Sequence, residues 1–381
     1  MNNSGMVPVA ELFVCPMVSP ADTSAIEKLF ADGRVDPNDV VGVIGKSEGS
    51  GLPNDYGRLL ADVSIRRVLA DLRGSTPEEI ADQVTIAMSG GSPGTVAPHA
   101  TILTQRWILV EGESDSGVTG GVVFGRSHTR DILPSHIGRV EQVDAIVEAV
   151  AQAMQDAGVT NIADVQMVLV KGPALTGDSI AAATAAGVDL VTRDPGIGPM
   201  GSMCFSNDAM ALGVGVALGE IDRGRINNDV IRKDWSLFSN VALTSSGGEK
   251  RKGEVLVVAN RPDSRSRLRA GHGITSSIGE SDGIKAALRS AGLDFECCPN
   301  AEQKEQIAQV FAKFTLPGSS TSHGARITLL EDHEAHHVAK AVGGAIVTSV
   351  TGLVMAFVSG GEANSHMGPP NANPVCAIVR I

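Results

Sequence analysis

The sequence predicts an α/β fold made of three similar units in one chain. Three apolar, strand-like segments each end in Ser-Gly-Gly, and each is preceded by another apolar segment that contains a lysine near its end. The serines are Ser89, Ser246 and Ser359, and the lysines are Lys46, Lys171 and Lys313. A segment of helical periodicity separates lysine from serine each time, and such alternation of strands and helices is typical of α/β units. A pattern that recurs in the same order predicts an internal repeat.

The first unit spans 1–106. A helix is predicted over 20–33, which ends at a glycine as helices commonly do. The lysine strand follows at 39–49 and a second helix at 54–72, where Asn54 and Asp55 supply the capping signal. The serine strand occupies 84–91.

The second unit spans 107–250 and repeats this order. Its helices are predicted over 139–158 and 206–221, its lysine strand over 164–175 and its serine strand over 241–248. A charged break, GGEKRKGE, marks the end of this unit and precedes a new apolar strand, EVLVVAN.

The third unit spans 251–381. Its helices are predicted over 279–292 and 331–350, and its serine strand over 355–361. The lysine strand at 306–318 is the weakest of the three matches. Three such units packed around one axis would bring their strand ends together.

Composition excludes several classes of function. The 381 residues carry a formal net charge of −12, which disfavours nucleic acid because phosphate binding needs a basic face. No apolar stretch reaches membrane-spanning length, and the N-terminus lacks a secretory signal, so we expect a cytoplasmic protein. Its five cysteines, including the vicinal pair Cys297 and Cys298, are expected to be reduced thiols.

Lysine and serine together predict nucleophilic chemistry. A serine hydroxyl needs a base, and a buried lysine close to other cations can supply a neutral amine because its pKa is lowered. The glycine after each serine leaves backbone N–H groups accessible to a developing oxyanion. Ser-Lys dyads with such donors hydrolyse amides. A pocket at a threefold axis would suit a small ring of near-threefold symmetry.

The motifs SGGSPGTVAPH, TSSGGE and FVSGGEANSHMGPPNANPV resemble those of the ring-opening cyclic amide hydrolases, the family of cyanuric acid hydrolase and barbiturase. The resemblance runs over essentially the whole chain. It implies three units of pseudo-threefold symmetry, nicknamed the Toblerone fold, one active site at the axis, and a homotetramer. It also implies a small cyclic ureide or imide as substrate.

The resemblance assigns roles to individual residues. Ser246 matches the nucleophile and Lys171 its base. The matching substrate-binding positions are Ser89, Ser359, Lys46, Lys313, the backbone donors Gly90, Gly247 and Gly360, and three helix positions at Arg58, Asn207 and Lys340. The family usually has arginine at all three helix positions. Asn207 and Lys340 cannot reproduce the rigid two-pronged donor set of a guanidinium, so cyanuric and barbituric acid are doubtful substrates.

No cofactor is predicted. Family members often hold a structural cation through a glutamate just after the third lysine, and the sequence KFTLPG at 313–318 has no glutamate. We therefore expect such a cation to be absent or weakly held.

Two other functions remain open. The fold could serve a non-catalytic protein that binds small rings. Less favoured is a zinc hydrolase, because His333, Glu334 and His337 fit H-E-x-x-H and His366 is the only later histidine that could be a third ligand.

Overall fold

The computed structural model of the chain describes residues 5–110, 120–332 and 334–381. It contains three four-stranded sheets with the same strand order. In each sheet the first strand pairs with the fourth, the fourth with the lysine strand, and the lysine strand with the serine strand. The lysine and serine strands are parallel, and all other pairs are antiparallel.

The first sheet and its helices come from the start of the chain. In order they are β1 (Met6–Pro16), α1 (Ser24–Ala31), β2 (Val40–Ser47), α2 (Tyr56–Arg73), α3 (Pro77–Gln83), β3 (Thr85–Gly90) and β4 (His99–Leu109). Asp55 caps α2 by accepting a hydrogen bond from the backbone N–H of Arg58, as the sequence predicted. This cap places Arg58 in the first turn of the helix.

The second set contains β5 (Gly121–His128), α4 (Val140–Asp156), β6 (Val165–Pro173), α5 (Gly177–Ala185), α6 (Ser202–Ala217), β7 (Ala242–Gly247) and β8 (Glu254–Arg261). The third contains β9 (Leu268–Thr275), α7 (Asp282–Ser290), α8 (Ala301–Gln306), β10 (Ile307–Leu316), the short β11 (Thr321–Ser322) and β12 (Ala325–Arg326), α9 (Ala335–Thr351), β13 (Phe357–Ala363) and β14 (Asn373–Arg380).

Both predicted boundaries between units fall inside sheets. The strand after the charged break, β8, was assigned to the third unit, but it pairs with β5 and β6 in the second sheet. The sheet therefore continues to Arg261, eleven residues beyond the predicted end at 250, and β4 likewise continues to Leu109 beyond 106. The charged segment GGEKRKGE has the composition of a linker between units, but it connects β7 and β8 of one sheet. Only the pairing of strands far apart in the chain distinguishes a linker from a turn within a sheet.

One face of each sheet meets the other two sheets in a shared core. This core includes Leu103 from the first sheet, Leu256 from the second and Phe311 from the third. The opposite face of each sheet packs on its own helices and forms a separate apolar cluster. The pseudo-threefold axis stays a prediction, but the common core explains why the three sheets lie together.

A buried ion cluster joins the first and second units. Lys250 Nζ lies 2.8 Å from Asp62 Oδ2 on α2 and 2.7 Å from Glu254 Oε1 on β8. Arg66 also pairs with both carboxylates.

None of the helices in the described ranges is long and apolar enough to cross a membrane.

Candidate active site

The lysine and serine strands lie side by side, so their side chains are held in register. Lys46 on β2 is opposite Ser89 on β3, and Lys313 on β10 is opposite Ser359 on β13. On β6 and β7, however, Lys171 is opposite Ser245, whereas Ser246 is opposite Gly172. Strand register therefore makes Ser245 the counterpart of the other two serines.

A small cavity lies where the three units meet, and four residues from each unit line it. They are Gly51, Arg58, Ser89 and Gly90 from the first unit, Ile197, Met203, Asn207 and Ser245 from the second, and Lys313, Lys340, Ser359 and Gly360 from the third. An adjoining pocket shares the three serines and includes Lys171. The structure thus brings together nearly all the predicted site residues.

Ser246, Gly247 and Lys46 line neither cavity, although Lys46 contacts the serine of its own unit. Successive side chains in a strand point to opposite faces, so Ser246 points away from the face that Ser245 presents. The Ser246 hydroxyl is fully buried and donates a hydrogen bond to the carbonyl of Met203 on α6, 3.1 Å away. Aligning the three internal motifs on Gly-Gly selects Ser246 in the second one. That motif has two serines before Gly-Gly, and only strand pairing shows that Ser245 matches the other two serines.

Two of the serines are linked by hydrogen bonds. Lys46 Nζ donates to Ser89 Oγ over 3.2 Å, and Ser89 Oγ lies 3.2 Å from Ser359 Oγ. Burial holds the pKa of Lys46 well below its usual value, and Lys340 and Lys313 lower it further. Lys313 Nζ donates to the carbonyl of Thr244, on the strand that carries Ser245.

Lys171 has a different partner, which the sequence reasoning missed. Its Nζ lies 3.0 Å from Glu249 Oε1, and the same carboxylate accepts a hydrogen bond from Arg58 Nε at 3.0 Å. Burial lowers the pKa of Lys171 to about 8, although Glu249 opposes this shift. Burial would raise the pKa of Glu249, but the two cations outweigh it and bring that pKa to about 2. A signal existed in the sequence, since Glu249 directly follows the second Gly-Gly.

The glycines after the serines leave room for acidic groups. A Cβ at Gly90 would lie 1.6 Å from Asp55 Oδ2, and one at Gly247 would lie 2.1 Å from Glu249 Oε2. Asp55 also accepts a hydrogen bond from the backbone of Gly51. The bare backbone at Gly90 therefore allows the cap of α2, and with it Arg58, to approach the serine strand.

The three helix positions named from the resemblance face one cavity. Arg58 on α2, Asn207 on α6 and Lys340 on α9 are all buried and line it. Arg58 Nη2 donates to the carbonyl of Pro53, and Lys340 Nζ donates to the carbonyl of Gly90 over 3.5 Å.

The zinc alternative is weakened by the position of His366. Its Nδ1 contacts the carbonyl of Leu237, and its Nε2 accepts a hydrogen bond from the backbone of Arg232, so both ring nitrogens are engaged. His333 lies outside the described residues. Glu334, His336 and His337 do place ligand atoms within 4.8 Å of one another.

The His337 ring lies between two acceptors. Its Nε2 contacts the carbonyl of Ser50 at 2.8 Å, and its Nδ1 lies 3.0 Å from Glu334 Oε2.

The expectation that a structural cation is absent or weakly held stays a prediction. All five cysteines are free thiols, and Cys297 and Cys298 are exposed.

Comparison with known proteins identifies the family of the chain. A family model described as amidohydrolase ring-opening protein matches residues 11–380. A cyclic amide hydrolase from Pseudofrankia inefficax is 58% identical over 99% of this chain and 96% of its own length. A cyanuric acid amidohydrolase from Bradyrhizobium diazoefficiens is 36% identical over 95% of both chains. The solved structure of a cyanuric acid hydrolase superimposes with a TM-score of 0.91 at 33% identity, covering 98% of this chain and all of the other. The chain therefore belongs to the family of ring-opening amidohydrolases.

Proposed function

We propose that the protein hydrolyses a ring C–N bond of a small cyclic ureide or imide, with Ser245 as nucleophile and Lys171 as base. The observation that carries this assignment is the strand register, which sets Ser245 opposite Lys171 and in the cavity shared by all three units. The relatives named as cyclic amide and cyanuric acid hydrolases support the reaction class.

The first half of the reaction forms an ester. Ser245 Oγ attacks a ring carbonyl carbon while its proton passes to neutral Lys171. The ring nitrogen then leaves as the C–N bond breaks, and it takes the proton from Lys171. In this scheme the backbone N–H of Ser246 donates a hydrogen bond to the oxyanion. Ser246 follows the nucleophile in the chain as Gly90 follows Ser89.

The second half releases the opened product. A water molecule attacks the ester carbon, Lys171 takes one of its protons, and Ser245 Oγ leaves as a hydroxyl with that proton. In this scheme the other serines, Ser89 and Ser359, hold the remaining carbonyl groups through their hydroxyls.

Paired serine variants test the assignment. We expect Ser245→Ala to lower kcat by about 10³-fold or more, as loss of a nucleophile does, and Ser246→Ala to retain activity within about tenfold. Purified variants are compared by ring absorbance on cyclic ureides, imides and triazines, with circular dichroism to confirm folding. A large loss in Ser246→Ala alone would return the nucleophile to Ser246.

The same panel addresses the non-catalytic alternative. A binding protein would bind rings without turnover in the wild type, so the two serine variants would not differ in product formed. Assembly as a homotetramer stays a prediction, and sedimentation equilibrium of the purified chain would test it.

A further inference from the structure

A cluster of one carboxylate and two imidazoles lies at the start of α9. Glu334 immediately precedes the helix, and His336 and His337 are in its first turn. A nitrogen of each ring and a carboxylate oxygen all lie within 4.8 Å of one another. In the described part of the chain, no other three His, Cys, Asp or Glu side chains meet this closely. None of the three residues lines the cavities that hold the serines.

The contacts of His337 determine where its proton lies. The carbonyl oxygen of Ser50 can only accept a hydrogen bond, and it lies 2.8 Å from His337 Nε2, so this nitrogen carries the ring N–H. A neutral ring then has a bare lone pair at Nδ1. This atom lies 3.0 Å from Glu334 Oε2, which is also an acceptor. Two acceptors this close together require a proton or a cation between them.

His336 favours the cation. Its Nε2 is buried, makes no hydrogen bond and lies 3.9 Å from the same oxygen of Glu334. A second proton on His337 would satisfy only the contact between His337 and Glu334. A metal ion would instead accept lone pairs from both rings and from the carboxylate. Two imidazoles and a carboxylate are a donor set that suits divalent transition metals such as Zn²⁺.

We propose that Glu334, His336 and His337 bind one divalent transition-metal ion beside the active site. The ligands of a tetrahedral zinc ion lie about 3.3 Å apart when its bonds are about 2.0–2.1 Å, so rotations that move these side chains by about 1 Å complete the site. His337 keeps its hydrogen bond to Ser50, as metal-binding histidines commonly do with the second ring nitrogen. Glu334 is exposed, so water can take the fourth position.

The ion would have a structural role. His337 contacts the loop that precedes α2, and His336 packs on Gly361 of β13, where an added Cβ would lie 2.6 Å from the Cβ of His336. Lys340, about one turn further along α9, lines the cavity. The ion therefore holds the start of α9 in the position from which Lys340 reaches the cavity. This inference is independent of the proposed function, because none of the ligands takes part in ring opening.

Zinc titration of the full chain tests the site. Untagged protein is freed of metal with a chelator, and the exposed thiols are removed as Cys297→Ser and Cys298→Ser because thiolates bind zinc themselves. Calorimetry measures the stoichiometry and Kd, and melting followed by circular dichroism measures Tm. We expect one zinc ion per chain and a Tm that rises with zinc concentration, since an ion that binds only the folded state stabilises it.

Two substitutions and a control locate the ion. Glu334→Gln keeps the shape of an exposed side chain and removes its charge, which leaves the fold intact, and His336→Ala removes the nitrogen that makes no hydrogen bond. We expect each to weaken zinc binding by about a hundredfold or more, because loss of a residue that only supports a ligand already costs about 10–100-fold. His323→Ala removes an exposed histidine outside the cluster and should leave the zinc affinity unchanged.

Three results would overturn the proposal. If the folded, metal-free protein binds no zinc, a second proton on His337 accounts for its contact with Glu334. If zinc binds equally well to the wild type, Glu334→Gln and His336→Ala, the ion lies elsewhere. If His323→Ala loses as much affinity as the cluster variants, zinc binds surface histidines without a defined site.

Discussion

Replacing Glu249 by glutamine would remove a carboxylate that contacts both Lys171 and Arg58. The side chain keeps nearly the same shape, but its negative charge 3.0 Å from Lys171 Nζ is lost. The pKa of Lys171, about 8 in the native protein, is the balance between burial, which lowers it, and Glu249, which raises it. We therefore expect this pKa to fall when the charge is removed.

The distance sets the size of the effect. Two unit charges 3.0 Å apart interact by about 5 kcal/mol at an effective dielectric constant of roughly 20. At about 1.4 kcal/mol per pKa unit this gives an upper limit of roughly 4 units. Since glutamine can still accept a hydrogen bond from Lys171, we expect a fall of about 1 to 3 units. At pH 7 only about a tenth of Lys171 is neutral with a pKa of about 8, and half or more would be neutral in the variant.

The pH dependence of kcat/KM measures this change. A neutral Lys171 is needed as base, so activity rises as pH increases through its pKa in the free enzyme. The acidic limb of the profile should move to lower pH in Glu249→Gln. The plateau should fall, because Arg58 loses the partner that orients it. Taking the ratio of variant to wild type on one substrate cancels the ionisation of the substrate itself.

Charge and geometry can be separated by a matched variant. Glu249→Asp keeps the charge, so its acidic limb should stay close to that of the wild type even if its plateau falls. An acidic limb that does not move in Glu249→Gln, or that moves to higher pH, would refute Lys171 as the base held by this ion pair.

Two further predictions concern stability, and a third concerns activity. Glu249 has a pKa of about 2 in the folded protein against an ordinary 4.5, so its contribution to the free energy of unfolding is complete above about pH 4.5 and is lost as pH falls towards 2. The urea midpoints at pH 5 and pH 3 should therefore differ less in Glu249→Gln than in the wild type. Lys250→Met leaves two buried carboxylates without their ammonium partner and should cost about 3–5 kcal/mol of unfolding free energy, measured by urea denaturation. Lys252→Met, at a partly exposed ion pair, should cost under about 1 kcal/mol. Gly90→Ala would drive a methyl group against the Asp55 carboxylate and should lower activity more than the equally conservative Gly177→Ala, where a Cβ meets nothing within 4 Å; equal activities would contradict the close packing.

Much of the site could be predicted from order along the chain. Strand-like segments, helix caps and the recurring lysine and serine are local features, and the helix that starts after Asp55 lies within two residues of its predicted bounds. The resemblance to the cyclic amide hydrolases named Arg58, Asn207 and Lys340, all of which line the cavity. Composition and spacing are sufficient for the strands, caps and recurring residues because these depend on neighbouring residues.

Only the tertiary structure decided which serine enters the cavity and which strand closes the second sheet. The motif Thr-Ser-Ser-Gly-Gly fits Ser245 or Ser246 equally well until pairing with β6 sets the face of the strand, since a one-residue shift turns every side chain to the other side. Glu249 also gained its significance in three dimensions, because its partner Arg58 is 191 residues away in the chain. The sequence by itself determined the repeated elements and the groups they carry, whereas strand register and contacts between units determined which groups meet.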